Sequence, residues 1–167
     1  MTEVQIKLLG AFFVTLQKKR ITMKTTETPK QQSFTLPGVL HIEPFSAADA
    51  IANYNAAIVD VRESEEVDII KFDTTELIHL PLSVIVDRFN ELPKDRPLIV
   101  ACSNGVRSVK AVNLLNYQGF AQAINLDGGI NQWHRDGLPL ILRQDLLDSG
   151  QNCGTSKSSG CGCGCSC

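Results

Sequence analysis

The stretch LIVACSNGVRSVKAVNLLNYQGF, from Leu98 to Phe120, decides how this chain folds. It opens with an apolar run that is typical of a strand covered on both faces. A short polar loop follows, and from Arg107 apolar side chains recur at helical spacing as far as Gly119. Strand, tight loop and helix in this order predict one unit of a parallel α/β sheet.

The rest of the chain repeats this alternation. Four further β-rich runs lie at residues 39–42, 57–61, 77–80 and 123–126. Helices are predicted to begin at Ser46, with Asp49 completing a capping box, to run between Ser83 and Pro93, and to extend from Gly129 to Asp136. Together these elements predict a five-stranded, mostly parallel sheet with helices on both faces.

The loop at residues 102–107 is the candidate site, because ligands bind at the carboxyl ends of the strands in open α/β sheets. Cys102 is the first residue after its strand, and Gly105 permits a tight turn. Loop amides and a helix N-terminus form an anion-binding cup that would stabilise a thiolate. Arg107 adds a positive charge at the rim. A buried structural cysteine is the alternative, but it would need neither the glycine turn nor the arginine.

Composition excludes two classes of function. The chain has 167 residues, a net charge of −2, 43% hydrophobic residues and 20% charged residues, as in ordinary soluble globular proteins. The charge balance argues against a nucleic-acid-binding protein, which usually shows a basic patch. No run reaches the roughly 18 apolar residues that span a bilayer. We therefore expect no nucleic-acid partner and no membrane partner.

The six cysteines are placed unevenly. Cys102 stands alone in the body, whereas the others lie near the end, at Cys153, Cys161, Cys163, Cys165 and Cys167. A secreted disulfide scaffold would spread its cysteines through the fold. The pattern favours a reducing compartment, and we expect a cytoplasmic protein with one reactive thiol and a separate thiol-rich tail.

Both ends of the chain differ from the body. Residues 1–35 are predicted to be a disordered extension, since the polar segment from Lys24 to Ser33 has little to bury. The apolar run from Leu8 to Leu16 lacks the flanks of a secretory signal, and either Met1 or Met23 could be the true start. Residues 143–167 are predicted to be a flexible tail rich in Gly, Ser and Cys.

Several motifs in order resemble the single-domain rhodaneses, a family of sulfurtransferases. They are DVRE at residues 60–63, LPL at 80–82, Cys-x-x-Gly-x-Arg-Ser at 102–108 and NLDGGINQW at 125–133. Each piece is modest alone, but their order and spacing are specific. The resemblance covers residues 36–142 and implies a rhodanese-like α/β domain there.

The resemblance also implies roles for individual residues. Cys102 would carry a sulfane sulfur as a persulfide, with Arg107 as the second catalytic residue that closes the loop. Asp60 matches a structural aspartate near the loop, which would hydrogen-bond to the loop. The substrate-binding residues would be Ser103, Asn104, Gly105, Val106 and Ser108.

Three further features of the sequence bear on the site: a missing segment and the residues Arg62 and Trp133. The Gly-His-Ile segment of many rhodanese domains is missing here, which leaves the donor and acceptor preference open. Arg62 is either an anion-attracting side chain or a solvated surface residue. Trp133 is interpreted as core or rim packing.

The implied activity is the transfer of sulfur from a small donor such as thiosulfate to a thiol, to cyanide or to a partner protein. No cofactor is required. Cysteine-dependent phosphatases and arsenate reductases use a longer loop, and only four residues separate Cys102 from Arg107. The shorter loop encloses a cup that suits one sulfur atom better than a tetrahedral oxyanion.

The terminal CGCGCSC leaves three interpretations open. Cys161, Cys163, Cys165 and Cys167 are candidate ligands for a soft metal ion such as zinc, copper(I) or cadmium. The same thiols could accept sulfur from Cys102. They could also be an unstructured tail without a role. A non-catalytic thiol carrier or metal-binding protein acting through this tail is therefore the alternative to the enzyme.

Overall fold

The computed structural model describes residues 23–143. Its strands are β1 (Thr25–Thr26), β2 (His41–Ile42), β3 (Ala57–Asp60), β4 (Ile70–Phe72), β5 (Leu77–His79), β6 (Leu98–Ala101), β7 (Ala123–Leu126) and β8 (Leu140–Leu142). Its helices are α1 (Pro44–Tyr54), α2 (Ser64–Ile69), α3 (Ile85–Arg88), α4 (Val106–Tyr117) and α5 (Gly129–Arg135), with a 3-10 turn at Phe89–Glu91 after α3.

The central sheet has the strand order β1-β2-β7-β6-β3-β5. Its pairs are parallel except for β1, which lies antiparallel to β2 at the edge. A separate antiparallel pair joins β4 and β8. The predicted, mostly parallel α/β sheet is confirmed: all five predicted strands are present, and β1 adds a sixth.

Both faces of the sheet are covered by apolar side chains. Successive residues of a strand point to opposite faces, so Ile58 and Ile99 contribute to one core, and Val59 and Val100 to the other. Helix α4 packs on the core that contains Val59 and Val100, while α1 and α5 pack on the core that contains Ile58 and Ile99. Within residues 23–143, no helix is long and apolar enough to cross a membrane.

Two helix predictions need correction. Helix α1 starts at Pro44, and its N-cap residue Glu43 makes no side-chain cap bond. The predicted capping box of Ser46 and Asp49 is therefore wrong, because proline at the first helical position sets the start instead. Helix α2 was not predicted, although Glu63 and Glu66 form a capping box at its start.

The N-terminal segment is ordered where the structure describes it. Thr25–Thr26 pairs with β2, and the backbone N–H groups of Lys30 and Gln31 donate to the Asp127 carboxylate at 2.6 and 3.1 Å. The prediction of a disordered lead-in is therefore wrong for these residues, because a carboxylate distant in sequence satisfies their amides. Residues 1–22, which precede Met23, and the predicted flexible tail after Arg143 with its five cysteines lie outside the described part of the chain.

A buried ion pair lies just after β3. The Arg62 guanidinium donates to both carboxylate oxygens of Asp60, with Nη2–Oδ2 at 2.6 Å. The two side chains are 2% and 0% exposed. Arg62 also donates to the carbonyl of Ile70, beyond the end of α2, at 2.8 Å. The interpretation of Arg62 as a surface residue is thus wrong, and Asp60 is bonded to Arg62 where a bond to the cysteine loop was expected.

Replacing Arg62 by alanine should destabilise the fold by about 3–5 kcal/mol, because Asp60 would be left as a buried, unpaired charge. Arg88→Ala is the control, since its ion pair with Glu91 is about half exposed and should contribute less than about 1 kcal/mol. Urea unfolding at neutral pH measures both. Equal losses of unfolding free energy in the two variants would contradict the assignment of Arg62 and Asp60 as a buried ion pair that stabilises the fold.

Candidate active site

Cys102 directly follows β6 and is a fully buried free thiol. Its Sγ accepts a hydrogen bond from the Gly105 backbone N–H at 3.1 Å. The Ser108 hydroxyl oxygen lies 3.3 Å from Sγ and 3.1 Å from the Gly105 carbonyl, so its proton can serve either acceptor. The sulfur therefore lies within hydrogen-bonding distance of a backbone N–H and a hydroxyl group.

Gly105 turns the chain from the loop into α4. It has a φ of +92°, in the left-handed region. A Cβ built there would lie 1.4 Å from Oε1 of Gln32, so a side chain at this position would also displace the Gln32 side chain. Gln32 itself donates through Nε2 to the carbonyl of Phe34 at 3.0 Å.

The other loop residues serve different partners. The N–H of Val106 donates to Oδ1 of Asn104 at 3.2 Å, and the same Oδ1 lies 3.9 Å from the sulfur. Ser103 donates through its hydroxyl to Glu66. Gly105 and Ser108 therefore donate to the sulfur, the thiol itself donates to Asn104 Oδ1 at the longer distance of 3.9 Å, and Asn104 also braces the loop through the Val106 N–H.

Arg107 is held by a carboxylate that the sequence did not single out. Its Nη1 and Nη2 each donate to an oxygen of Glu66 at 2.6 Å, and Nη2 also donates to the Ser103 hydroxyl at 2.8 Å. Ser103 donates to the same carboxylate at 2.7 Å. Glu66 lies on α2, which was not predicted. The available signal was its place three residues after Glu63, which is typical of a helix start.

The Glu66–Arg107 pair is ionised at neutral pH. Hydrogen bonds from Arg107 lower the pKa of Glu66 from 4.5 to about 2, against an opposing effect of burial. The same contact raises the pKa of Arg107, to which the charge of Cys102 also contributes. Because Glu66 balances its charge, Arg107 fastens the loop to α2 more than it presents a free cation to a ligand.

The N-terminus of α5 supports the loop from another side. The N–H groups of Ile130 and Asn131 donate to the carbonyls of Cys102 and Ser103 at 2.8 and 3.1 Å. Gly129 permits this approach, since a Cβ there would lie 2.3 Å from the Cys102 carbonyl oxygen. The start of α5 therefore also fixes the backbone of Cys102 and Ser103.

The histidines are engaged elsewhere or exposed. His41 is buried between the Thr35 hydroxyl and the Asn125 amide, and His79 meets the Arg62 carbonyl at 2.9 Å. His134 is exposed on α5. Trp133 packs edge-on against Phe72 in the core, as interpreted. The arrangement provides a buried thiol beside a backbone N–H and a hydroxyl group, and none of the three histidines contacts it.

A parallel α/β sheet that carries this loop after a buried strand defines the rhodanese-like domains. The profile of that family matches residues 44–136, and the chain belongs to it. A sulfurtransferase from Allochromatium vinosum is 38% identical over 84 residues, which cover 50% of this chain and 77% of that protein. The thiosulfate sulfurtransferase GlpE of Vibrio cholerae is 30% identical over 101 residues, covering 60% of this chain and 93% of GlpE.

Solved structures agree with this assignment. A rhodanese-related protein from Thermoplasma volcanium superposes with a TM-score of 0.56 at 27% identity, covering 62% of this chain and 98% of that one. A rhodanese-like domain protein from Staphylococcus aureus gives a TM-score of 0.54 at 28% identity, with 62% and 97% covered.

Glu66→Gln should lower the free energy of unfolding at neutral pH by about 1 kcal/mol, the scale of a partly exposed ion pair. Because folding lowers the pKa of Glu66 from 4.5 to about 2, this stabilisation is complete above pH 4.5 and is lost as the pH falls towards 2. Urea unfolding from pH 7 to pH 3 should show that the difference in free energy of unfolding between wild type and Glu66→Gln becomes smaller. Glu65→Gln is the control on the same helix. A difference that stays constant over this pH range would contradict the stabilisation assigned to the Glu66–Arg107 pair.

Gly129→Ala should destabilise the protein by about 3 kcal/mol or more, because backbone strain adds to a clash with the Cys102 carbonyl. Gly137→Ala is a matched control: its φ is also positive, at +72°, but a Cβ there meets nothing within 4 Å. Strain alone should cost it about 1–2 kcal/mol. Thermal and urea unfolding measure the loss of stability in both variants. Equal losses would show that the close approach of α5 to the Cys102 carbonyl does not affect stability.

Proposed function

We propose that this protein is a rhodanese-type sulfurtransferase that carries sulfur as a persulfide on Cys102. The supporting observation is the buried Cys102 thiol, which receives the Gly105 N–H and faces the Ser108 hydroxyl at the end of β6. The sulfurtransferases among its relatives support the same reaction class. Thiosulfate is the proposed donor, and a thiol or cyanide is the proposed acceptor.

In the first half-reaction, the Cys102 thiolate attacks the outer sulfur of thiosulfate. A new sulfur–sulfur bond forms at Sγ, the sulfur–sulfur bond of thiosulfate breaks, and sulfite leaves with the electron pair. No proton has to be removed if the thiolate is already formed, so a histidine base is unnecessary. The loop donors stabilise the anionic sulfur through electrostatics.

In the second half-reaction, an acceptor thiolate or cyanide attacks the outer sulfur of the persulfide. The bond to Sγ breaks, and Cys102 leaves as a thiolate. Gly105 and Ser108 stabilise this leaving group with the same hydrogen bonds that stabilise the nucleophile. Arg107 keeps the loop closed through Glu66 and Ser103.

The proposal includes a cytoplasmic location, because a reducing compartment keeps Cys102 as a thiol between turnovers. Its partners are a small sulfur donor and a thiol acceptor, with no nucleic acid or membrane involved. The cycle needs no cofactor.

The alternative function acts through the terminal CGCGCSC. Four thiolates at two-residue spacing suit a soft metal ion. Cys161, Cys163, Cys165 and Cys167 would then be the ligands, and the folded domain would only present them. This alternative requires the tail thiols and tolerates Cys102→Ser, whereas the enzyme shows the reverse dependence for sulfur loading.

Reduced protein incubated with thiosulfate should gain sulfur, and Cys102→Ser should abolish that gain, because the hydroxyl is not a comparable nucleophile. Intact mass after removal of excess thiosulfate measures the gain. Cys153→Ser is the control and should load like wild type. Absence of added sulfur, or sulfur that survives Cys102→Ser, would overturn the proposed function.

A further inference from the structure

We propose that Glu66 sets the charge preference of the site for its sulfur donor, and that it favours singly charged donors over doubly charged thiosulfate. The inference rests on the proposed function and deepens it by naming the donor class and the residue that selects it. Alkyl thiosulfonates belong to this class, because an alkyl group replaces one charged oxygen of thiosulfate. The hydrogen bonds of Glu66, the charge balance around Cys102 and the composition of α2 support the inference.

Glu66 occupies the polar groups at the edge of the cysteine loop. Arg107 donates to its two carboxylate oxygens at 2.6 Å, and the Ser103 hydroxyl donates to it at 2.7 Å. Ser103 directly follows Cys102, and Arg107 ends the loop. Guanidinium and hydroxyl groups are the donors that bind the oxygens of an anion most strongly. In this site a carboxylate of the protein itself already receives these hydrogen bonds.

The carboxylate also cancels the positive charge of the loop. Hydrogen bonds from Arg107 lower the pKa of Glu66 to about 2, so Glu66 is charged at neutral pH. The charge of Cys102 contributes to raising the pKa of Arg107, so the guanidinium interacts with both the sulfur and the carboxylate. Once the Cys102 thiolate has formed, two negative charges face one positive charge. A donor that approaches the sulfur therefore meets an excess of negative charge.

Helix α2 adds further negative charge on the same side. The segment from its N-cap to its last residue, 63–69, contains neither lysine nor arginine, and its acidic residues are Glu63, Glu65, Glu66 and Asp68. Glu63 accepts a hydrogen bond from the uncharged hydroxyl of Ser83 at 2.9 Å. The preceding Arg62 is buried in its ion pair with Asp60. The wall that holds Arg107 is thus acidic, which disfavours a dianion more than a monoanion.

Thiosulfate and methanethiosulfonate form a matched pair of donors. With either donor, the Cys102 thiolate attacks the outer sulfur, a sulfur–sulfur bond forms at Sγ, and the sulfur–sulfur bond of the donor breaks. Sulfite leaves with the electron pair in one case and methanesulfinate in the other. The electrostatic energy of approach scales with the charge of the donor. Removal of one negative charge from the protein therefore helps thiosulfate more than methanethiosulfonate.

The test compares the rates at which the two donors load Cys102 in reduced, full-length protein at low ionic strength. The reaction is stopped with an alkylating reagent, and the persulfide is measured on the tryptic peptide that ends at Arg107, which contains Cys102 and no other cysteine. The readout is the ratio of the second-order rate constant for thiosulfate to that for methanethiosulfonate. Differences in the intrinsic reactivity of the donors cancel when this ratio is compared between variants.

Glu66→Gln should raise the ratio at least about fivefold, because glutamine keeps the size of the side chain but not its charge. Glu65→Gln removes the same charge from an exposed position on the same helix, and it should change the ratio less than about twofold because solvent and salt screen exposed charges. Glu66→Asp keeps the charge and should keep the wild-type ratio. A purely structural loss at Glu66 would slow both donors alike and leave the ratio unchanged.

Salt supplies a second readout. In wild type, the ratio should rise as the ionic strength increases from about 0.01 M to about 1 M, because screening weakens the repulsion of thiosulfate. The rise should be smaller in Glu66→Gln, in which less repulsion is present. A ratio that falls with salt in wild type would show that the site attracts the dianion and would overturn the inference.

The variants separate failure of the inference from failure of the proposed function. If both donors load Cys102 but Glu66→Gln leaves the ratio unchanged, the inference is wrong and the proposed function stands. The same conclusion follows if Glu65→Gln or Glu66→Asp raises the ratio as much as Glu66→Gln does. If neither donor places a persulfide on the Cys102 peptide of the wild-type protein, the proposed function itself is overturned.

Discussion

Arg62 and Asp60 form a buried ion pair at the end of β3, and the position of α2 beside the cysteine loop depends on this pair. The guanidinium also holds the carbonyl of Ile70, which fixes the end of α2 against the sheet. Helix α2 then presents Glu66 to Arg107. The position of α2 beside the cysteine loop thus depends on this buried ion pair, because separating the two charges would carry a large desolvation cost.

The cysteine loop is held from three sides by parts of the chain that are distant in sequence. Helix α2 fastens it through Glu66, α5 binds the carbonyl of Cys102, and the N-terminal segment places Gln32 against Gly105. Such bracing keeps the donors aimed at one point, and preorganised donors act on developing charge without the cost of reorientation.

Charge at the site is nearly balanced before any ligand binds. Arg107 is neutralised by Glu66, whose pKa is lowered to about 2 by this contact. In the proposed reaction, anionic sulfur would therefore be stabilised by the N–H of Gly105 and the hydroxyl of Ser108 more than by a net positive potential. Closure of the loop and stabilisation of the sulfur would then be carried by different residues.

The sequence by itself determined the parallel sheet, its five main strands and Cys102 as the candidate nucleophile, because strand runs, a glycine turn and a helix start are local signals. Only the tertiary structure decided the roles of Glu66, Arg62 and Gln32. Glu66 and Arg107 are 41 positions apart, and a charged side chain in a sequence does not reveal its partner. Ordering of the lead-in likewise depends on Asp127, a partner about 97 positions away. Arg62 is bonded to the nearby Asp60 and Ile70, but it is buried only once the folded chain surrounds this pair.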